Sequence, residues 1–138
     1  MSKVYFVGAG PGDPELLTLR ARRLISEADT ILYAGSLVNP DILKWAKEGA
    51  RIQDTAKMTL EEIIKAMVAD ALQGRQVVRI HSGDPSIYGA IFEQMVELEK
   101  YRISFDMVPG VSSWSAAAAA LRQELPLPNI SQTVILTR

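Results

Sequence analysis

Chemistry has little to work with in this sequence: one histidine, no cysteine, and the tripeptide Gly-Asp-Pro used twice. The histidine opens HSGDPSIYGA, residues 81–90, directly after the apolar run QVVRI. The other Gly-Asp-Pro, residues 12–14, closes VYFVGAGPGDPELL. Without cysteine there are no disulfides, no thiolate catalysis and no cysteine-based zinc site. A single histidine argues against a His-rich metal site or a His-based triad. It reads better as a hydrogen-bonded pocket wall than as an acid–base group. No metal site is expected. What remains is backbone, hydroxyl and carboxylate chemistry on turns. Asp13 and Asp84 suit N-caps, with Pro14 and Pro85 in the first helical position. Asp84 is open to two readings, a pure cap or a cap beside a ligand. Gly83 lets a ligand approach the backbone. A third turn, VPGVSS, places Ser112 and Ser113 at a helix start, where their hydroxyls either cap the helix or meet a ligand.

These turns need strands and helices to hold them. Val4 to Val7 is a continuous apolar run closed by glycine, as in a strand buried on both faces. Asp13-Pro14-Glu15 is expected to open a helix in which Leu17, Ala21, Leu24 and Ala28 share a face. Thr30 to Tyr33 is a second strand, stopped by Ala34-Gly35. Pro40 to Glu48 reads as a short helix, and Arg51 to Gln53 as an edge strand. Thr59 to Glu62 is a capping box ahead of an apolar helix, and Gly74 stands where a helix-ending glycine belongs. Gln76 to Ile80 is a strand, Ile87 to Lys100 a helix, Ile103 to Val108 a strand and Ser112 to Arg122 a small-residue helix. Its alanines predict close packing on a sheet. Thr133 to Leu136 reads as a further strand. The alternation predicts an α/β fold, with a mainly parallel sheet and helices on both faces. Ligands of such sheets sit beyond the carboxyl ends of the strands, where GAGPGDP, HSGDPS and VPGVSS all lie.

Fifteen basic against sixteen acidic residues give a net charge of −1. No global field steers nucleic acid or an anionic membrane, and neither is expected as a partner. No run of 18 apolar residues exists, and MSKVYFVGAG lacks a signal-peptide layout, so a cytoplasmic protein is expected. Asp54 and Lys57 lie in a loop that could touch substrate, although an ordinary surface role is favoured. Arg20, Arg22 and Arg23 read as a solvated helix face. GAGPGD fails as a dinucleotide fingerprint: the third glycine falls on Asp13, and no acid ends the second strand. An NAD-dependent oxidoreductase is therefore disfavoured, and no P-loop is present.

In order along the chain, VGAGPGDPELLTLRA, DTILYAGSLV, VVRIHSGDPSIYG and VPGVSSWSAAAA resemble the tetrapyrrole (corrin and sirohaem) methylase family. The resemblance spans about residues 3–138. YAGSLV and HSGDPSIYGA look most like the branch that methylates C11 of precorrin-4 or cobalt-precorrin-4 in cobalamin biosynthesis. It implies an S-adenosylmethionine-dependent, homodimeric enzyme of two α/β domains, with S-adenosylhomocysteine as product. Residues 1–138 match the N-terminal domain, and the second domain is expected to follow ILTR and complete the cofactor cleft. Carried over by position, the cofactor contacts are Pro11, Ser82, Gly83, Asp84, Ile87, Ser112 and Ser113. The sirohaem branch has an aspartate, proposed as a base, after the second-strand tyrosine. Ala34 stands there in this sequence, so no catalytic residue is assigned. Methylation at another precorrin position and a non-catalytic cofactor-binding module are the alternatives.

Overall fold

The computed structural model describes residues 3–137. Five strands alternate with helices as expected: β1 (Lys3–Gly8), β2 (Thr30–Tyr33), β3 (Arg51–Asp54), β4 (Val77–His81) and β5 (Ser104–Val108). All pair in parallel, in the order β3-β2-β4-β1-β5. The helices are α1 (Leu19–Glu27), α2 (Leu60–Leu72), α3 (Phe92–Lys100) and α4 (Ser113–Ala120). Short 3-10 turns occupy Pro14–Leu16 and Pro40–Trp45.

The core lies in two layers. On one face Ala21, Leu24 and Ile25 of α1, with Val38 and Ile42, cover Val7, Ile31, Val78 and Ile80. On the other, Ile63, Met67, Val68 and Ala71 of α2 and Leu98 of α3 cover Val4, Phe6, Leu32 and Val77. Side chains alternate across each strand, so a strand covered on both sides must be apolar at successive positions. That is why β1 and β4 read as unbroken apolar runs.

The chain therefore leaves β1 toward one face and leaves β4, its neighbour, toward the other. The crevice beyond these two strands is the switch point at which parallel α/β sheets bind ligands.

Helix starts follow local capping, and here several expectations needed correction. Asp13 caps only the 3-10 turn, accepting from the Glu15 amide at 2.9 Å. The true cap of α1 is Thr18, which accepts from the Ala21 amide at 3.1 Å. The capping box of Thr59 and Glu62 is complete. The helix expected from Ile87 starts only at Phe92, because Tyr88 and Ala90 adopt left-handed backbone. The alanine helix α4 buries no side chain, so it does not pack on the sheet as expected. Thr133 to Leu136 forms no strand, since it pairs with no sheet edge. No helix among the described residues is long and apolar enough to cross a membrane.

At the sheet end opposite the crevice, buried Asp70 of α2 ties three segments together. Its carboxylate accepts from the Thr30 hydroxyl at 2.9 Å, from Arg75 at 2.6 Å and, more loosely, from Arg51 at 3.4 Å. Removing it strands a buried hydroxyl. Asp70→Ala is expected to cost about 1–3 kcal/mol in urea unfolding. Thr30→Val in the same background should add less than it costs alone, because the two residues share the contact. Simple additivity would show that the hydrogen bond carries no weight.

Candidate functional site

Three turns meet beyond the carboxyl ends of β1, β4 and β5. β1 pairs with β4 through Val7 and Ile80, and with β5 through Val7 and Val108. Past the strands, Gly10 and Gly83 exchange both backbone hydrogen bonds, at 3.2 and 2.8 Å. The approach is close enough to exclude side chains. A Cβ on Gly8 would lie 2.6 Å from the Gly83 carbonyl oxygen and 2.7 Å from the Gly110 Cα. A Cβ on Gly110 would run into the same Gly83 oxygen.

Asp84 locks this junction. Its Oδ1 accepts from the amide and hydroxyl of Ser86, at 2.8 and 2.5 Å, and its Oδ2 accepts from the Gly110 amide at 3.1 Å. Burial raises its pKa, but these hydrogen bonds outweigh burial and hold the carboxyl below its usual range. Asp84 is thus not the N-cap of a following helix. It closes its own turn, as Asp13 does, and reaches across to the third turn.

The cleft above this junction has a volume of about 340 Å³. It is lined by Pro11, Ser82, Gly83, Asp84, Ile87, Ser112 and Ser113, so all seven sequence-predicted residues meet there. Gly10, Leu37, Tyr88 and Trp114 complete the wall. Ser112 takes the N-cap position of α4, but its hydroxyl makes no cap bond. That hydroxyl and the first-turn amides of α4 suit a carboxylate or another polar ligand group.

Two residues that sequence reasoning missed or undervalued hold the walls. The Asn39 side-chain amide donates to the Gly12 carbonyl at 2.8 Å, fixing the loop that carries Pro11. Asp54 accepts from the Gly35 amide at 2.9 Å and pins the loop that carries Leu37. Asp54 accordingly anchors a loop and does not line the cleft. Asn39 gave only the signal of an Asn-Pro turn. A larger groove of about 790 Å³ between α2 and α3 contains none of the predicted residues.

His81 stays out of the cleft. Its side chain lies on the α2/α3 face of β4, buried, with its ring 6.0 Å from that of Phe6. Desolvation, helped by nearby Arg79, lowers its pKa to about 3. Arg79 is itself buried, and desolvation lowers its pKa to about 10, which keeps it cationic at neutral pH. The histidine is therefore not the hydrogen-bonded pocket wall expected from the sequence: it lies outside the cleft lining, its Nε2 finds no hydrogen-bond partner among the described residues, and, neutral and buried, it cannot exchange protons with a ligand near neutral pH.

The sequence and structure also have known counterparts. The family model for tetrapyrrole (corrin/porphyrin) methylases matches residues 3–138. The cobalt-precorrin-4 C(11)-methyltransferase of Methanocaldococcus jannaschii is 59% identical over 136 residues, covering 99% of this chain and 52% of that protein. The solved cobalt precorrin-4 methyltransferase CbiF superposes with a TM-score of 0.95 at 50% identity, covering 99% of this chain and 57% of that one. A uroporphyrin-III C-methyltransferase of Thermus thermophilus, solved with S-adenosylhomocysteine, has a TM-score of 0.75 at 34% identity over 96% of this chain and 53% of its own. The chain spans about half the length of the curated relatives it matches.

Two outcomes are expected. Gly8→Ala and Gly110→Ala force backbones apart and should each cost about 3 kcal/mol, the upper end for overpacking. Gly83→Ala meets nothing closer than 3.7 Å and bears only the strain of φ 59°, about 1–2 kcal/mol. Equal losses for all three in denaturant titrations would contradict the close-approach account. For His81, the unfolded side chain titrates near 6.5 and the folded one at about 3. Between those values the unfolded chain binds the extra proton. This contribution to stability is therefore complete above about pH 6.5 and is lost as pH falls toward 3, by up to about 1.4 kcal/mol per pH unit. His81→Leu should flatten the acid limb of the stability profile, and an unchanged limb would argue against a buried neutral histidine.

Proposed function

The chain belongs to the tetrapyrrole (corrin/porphyrin) methylases, and on that premise we propose that it is the N-terminal domain of an S-adenosylmethionine-dependent methyltransferase acting at C11 of precorrin-4 or cobalt-precorrin-4. The observation that carries this reading is the meeting of Pro11, Ser82, Gly83, Asp84, Ile87, Ser112 and Ser113 around one cleft at the switch point of the sheet. The close likeness to proteins named for that reaction supports C11 as the ring position.

The residues present fit the cofactor. The cleft offers backbone groups at Gly83, the Ser82, Ser112 and Ser113 hydroxyls and the uncapped start of α4 for polar parts, and Ile87 for an apolar one. When bound, S-adenosylmethionine supplies a methyl group on a positively charged sulfonium, open to in-line attack by a ring carbon. The chain's part is then positioning. Holding two reactants at near-attack distance with aligned orbitals is worth several powers of ten in rate. The Gly8, Gly83 and Gly110 contact fixes the cleft floor, and Asp84 holds two of its turns in register. None of the seven residues needs to move a proton, which agrees with a chain that keeps its one histidine buried and neutral.

A second domain completes the cofactor cleft in this reading. Support comes from apolar side chains left exposed past α4, among them Leu121, Ile130 and Ile135. The whole enzyme is a cytoplasmic homodimer with no nucleic-acid or membrane partner.

The test uses the full-length protein that contains this chain. Incubated with S-adenosylmethionine and precorrin-4, or its cobalt form, it should yield a product heavier by one methyl, located at C11 by nuclear magnetic resonance. No transfer to either substrate would sink the assignment. Transfer to a different tetrapyrrole would move it within the family. Calorimetric binding of S-adenosylhomocysteine without any transfer would favour a cofactor-binding module.

A further inference from the structure

Tyr88 sits on the cleft rim at φ 54°, and Ala90 follows at φ 50°, both in the left-handed region. Between them Gly89 is confined, because a Cβ there would run into the Pro85 carbonyl oxygen. Left-handed backbone costs stability for any residue with a side chain, and more for a bulky one. Burial does not offset that cost. Tyr88 is 60% exposed. Its hydroxyl makes a long donation to the Leu136 carbonyl, at 3.4 Å. Strain kept at an exposed cleft edge without packing in return points to function.

The neighbours show what kind of ligand would meet it. Leu37 is 70% exposed and Trp114 41%, and both line the same cleft. The floor beneath consists of Gly10, Ser82, Gly83, Asp84 and Ser112, which offer backbone and small polar groups. Polar floor and apolar rim thus suit two different surfaces. At about 340 Å³ the cleft stands at the small end of ligand sites. A tetrapyrrole macrocycle is too broad for the part of the cleft that this chain encloses and would meet its apolar rim.

We propose that Tyr88 is a substrate-positioning residue, whose ring packs against the macrocycle of the tetrapyrrole while the floor holds the cofactor. This rests on the tetrapyrrole methylase reading above. The strained turn from Pro85 to Ile91 aims the ring, and aromatic rings favour such contacts by offset stacking or edge-to-face packing. Trp114 lies in the first turn of a regular helix and shows no comparable strain.

The experiment uses the full-length enzyme with Tyr88→Asn and Tyr88→Phe. Asparagine tolerates left-handed backbone and lacks the ring, whereas phenylalanine keeps it. Tyr88→Asn should raise the KM for the precorrin about tenfold or more, the change expected from losing one ring contact. Its S-adenosylhomocysteine Kd should stay within about twofold of the parent, and its melting temperature should hold or rise as strain is relieved. Tyr88→Phe should recover most of the KM. An unchanged KM in Tyr88→Asn overturns the proposal. A parallel loss of S-adenosylhomocysteine binding also overturns it, by making Tyr88 part of the cofactor wall. A falling melting temperature with both affinities intact assigns Tyr88 a structural role instead. If the parent enzyme methylates no precorrin, the proposed reaction fails. Tyr88 is then judged by equilibrium binding of uroporphyrin III, where an equal Kd for parent and Tyr88→Asn refutes its role.

Discussion

The site depends on three polypeptide segments passing within backbone contact of one another. Gly8, Gly83 and Gly110 stand at the ends of strands that are adjacent in the sheet but far apart in the chain. Their contact leaves no space for a Cβ on Gly8 or Gly110. Packed interiors tolerate no such added volume without shifting. The glycines therefore determine how tightly the turns close, and so where Pro11, Ser82 and Ser112 stand. Asp84 reinforces the same junction by accepting the Gly110 amide. A carboxylate that looks chemical in the sequence spends its acceptors on architecture.

That arrangement leaves the cleft with shape, amides, hydroxyls and one carboxylate whose oxygens already accept hydrogen bonds, and keeps the histidine away from it. His81 and Arg79 point to the opposite side of β4 from α1, beneath the second core layer, and both have pKa values lowered by burial. A rigid backbone floor is suited to placing a ligand.

The buried ion-pair network and the candidate cleft lie at opposite ends of the sheet. At the amino ends, Asp70 joins Thr30, Arg51 and Arg75, and Asp29 joins Lys47 and the Gln76 amide. At the carboxyl ends lie the turns that line the cleft, with Gly10, Gly83 and Tyr88 at positive φ, although Gly49, Gly74 and Arg102 take the same backbone at the amino ends. Parallel sheets favour this division, since every loop at the carboxyl edge leads from a rigid strand and is free to face a ligand.

Much of this was legible in the sequence. Unbroken apolar runs gave the buried parallel strands, because a strand covered on both faces has no polar side to show. Thr59 and Glu62 announced the start of α2 through purely local hydrogen bonds. The ordered glycine-rich turns disclosed the family, and all seven residues named from them line one cleft. Other features were decided by contacts between distant residues. Whether Asp84 caps a helix or clasps Gly110 depends on β5 lying beside β1, a pairing that spacing cannot reveal. The delayed start of α3, the strained Tyr88 and the Asn39 anchor on Gly12 follow from packing, against ordinary local preference. The alanines of α4 promised a packed helix, yet α4 buries no side chain. Sequence by itself determined most of the elements and turns, because those rest on local periodicity and capping, and its ordered turn motifs carried the resemblance to the family. Only the tertiary structure decided which turns touch and which side chains face the cleft, because those depend on strand order and on how closely three backbones can approach.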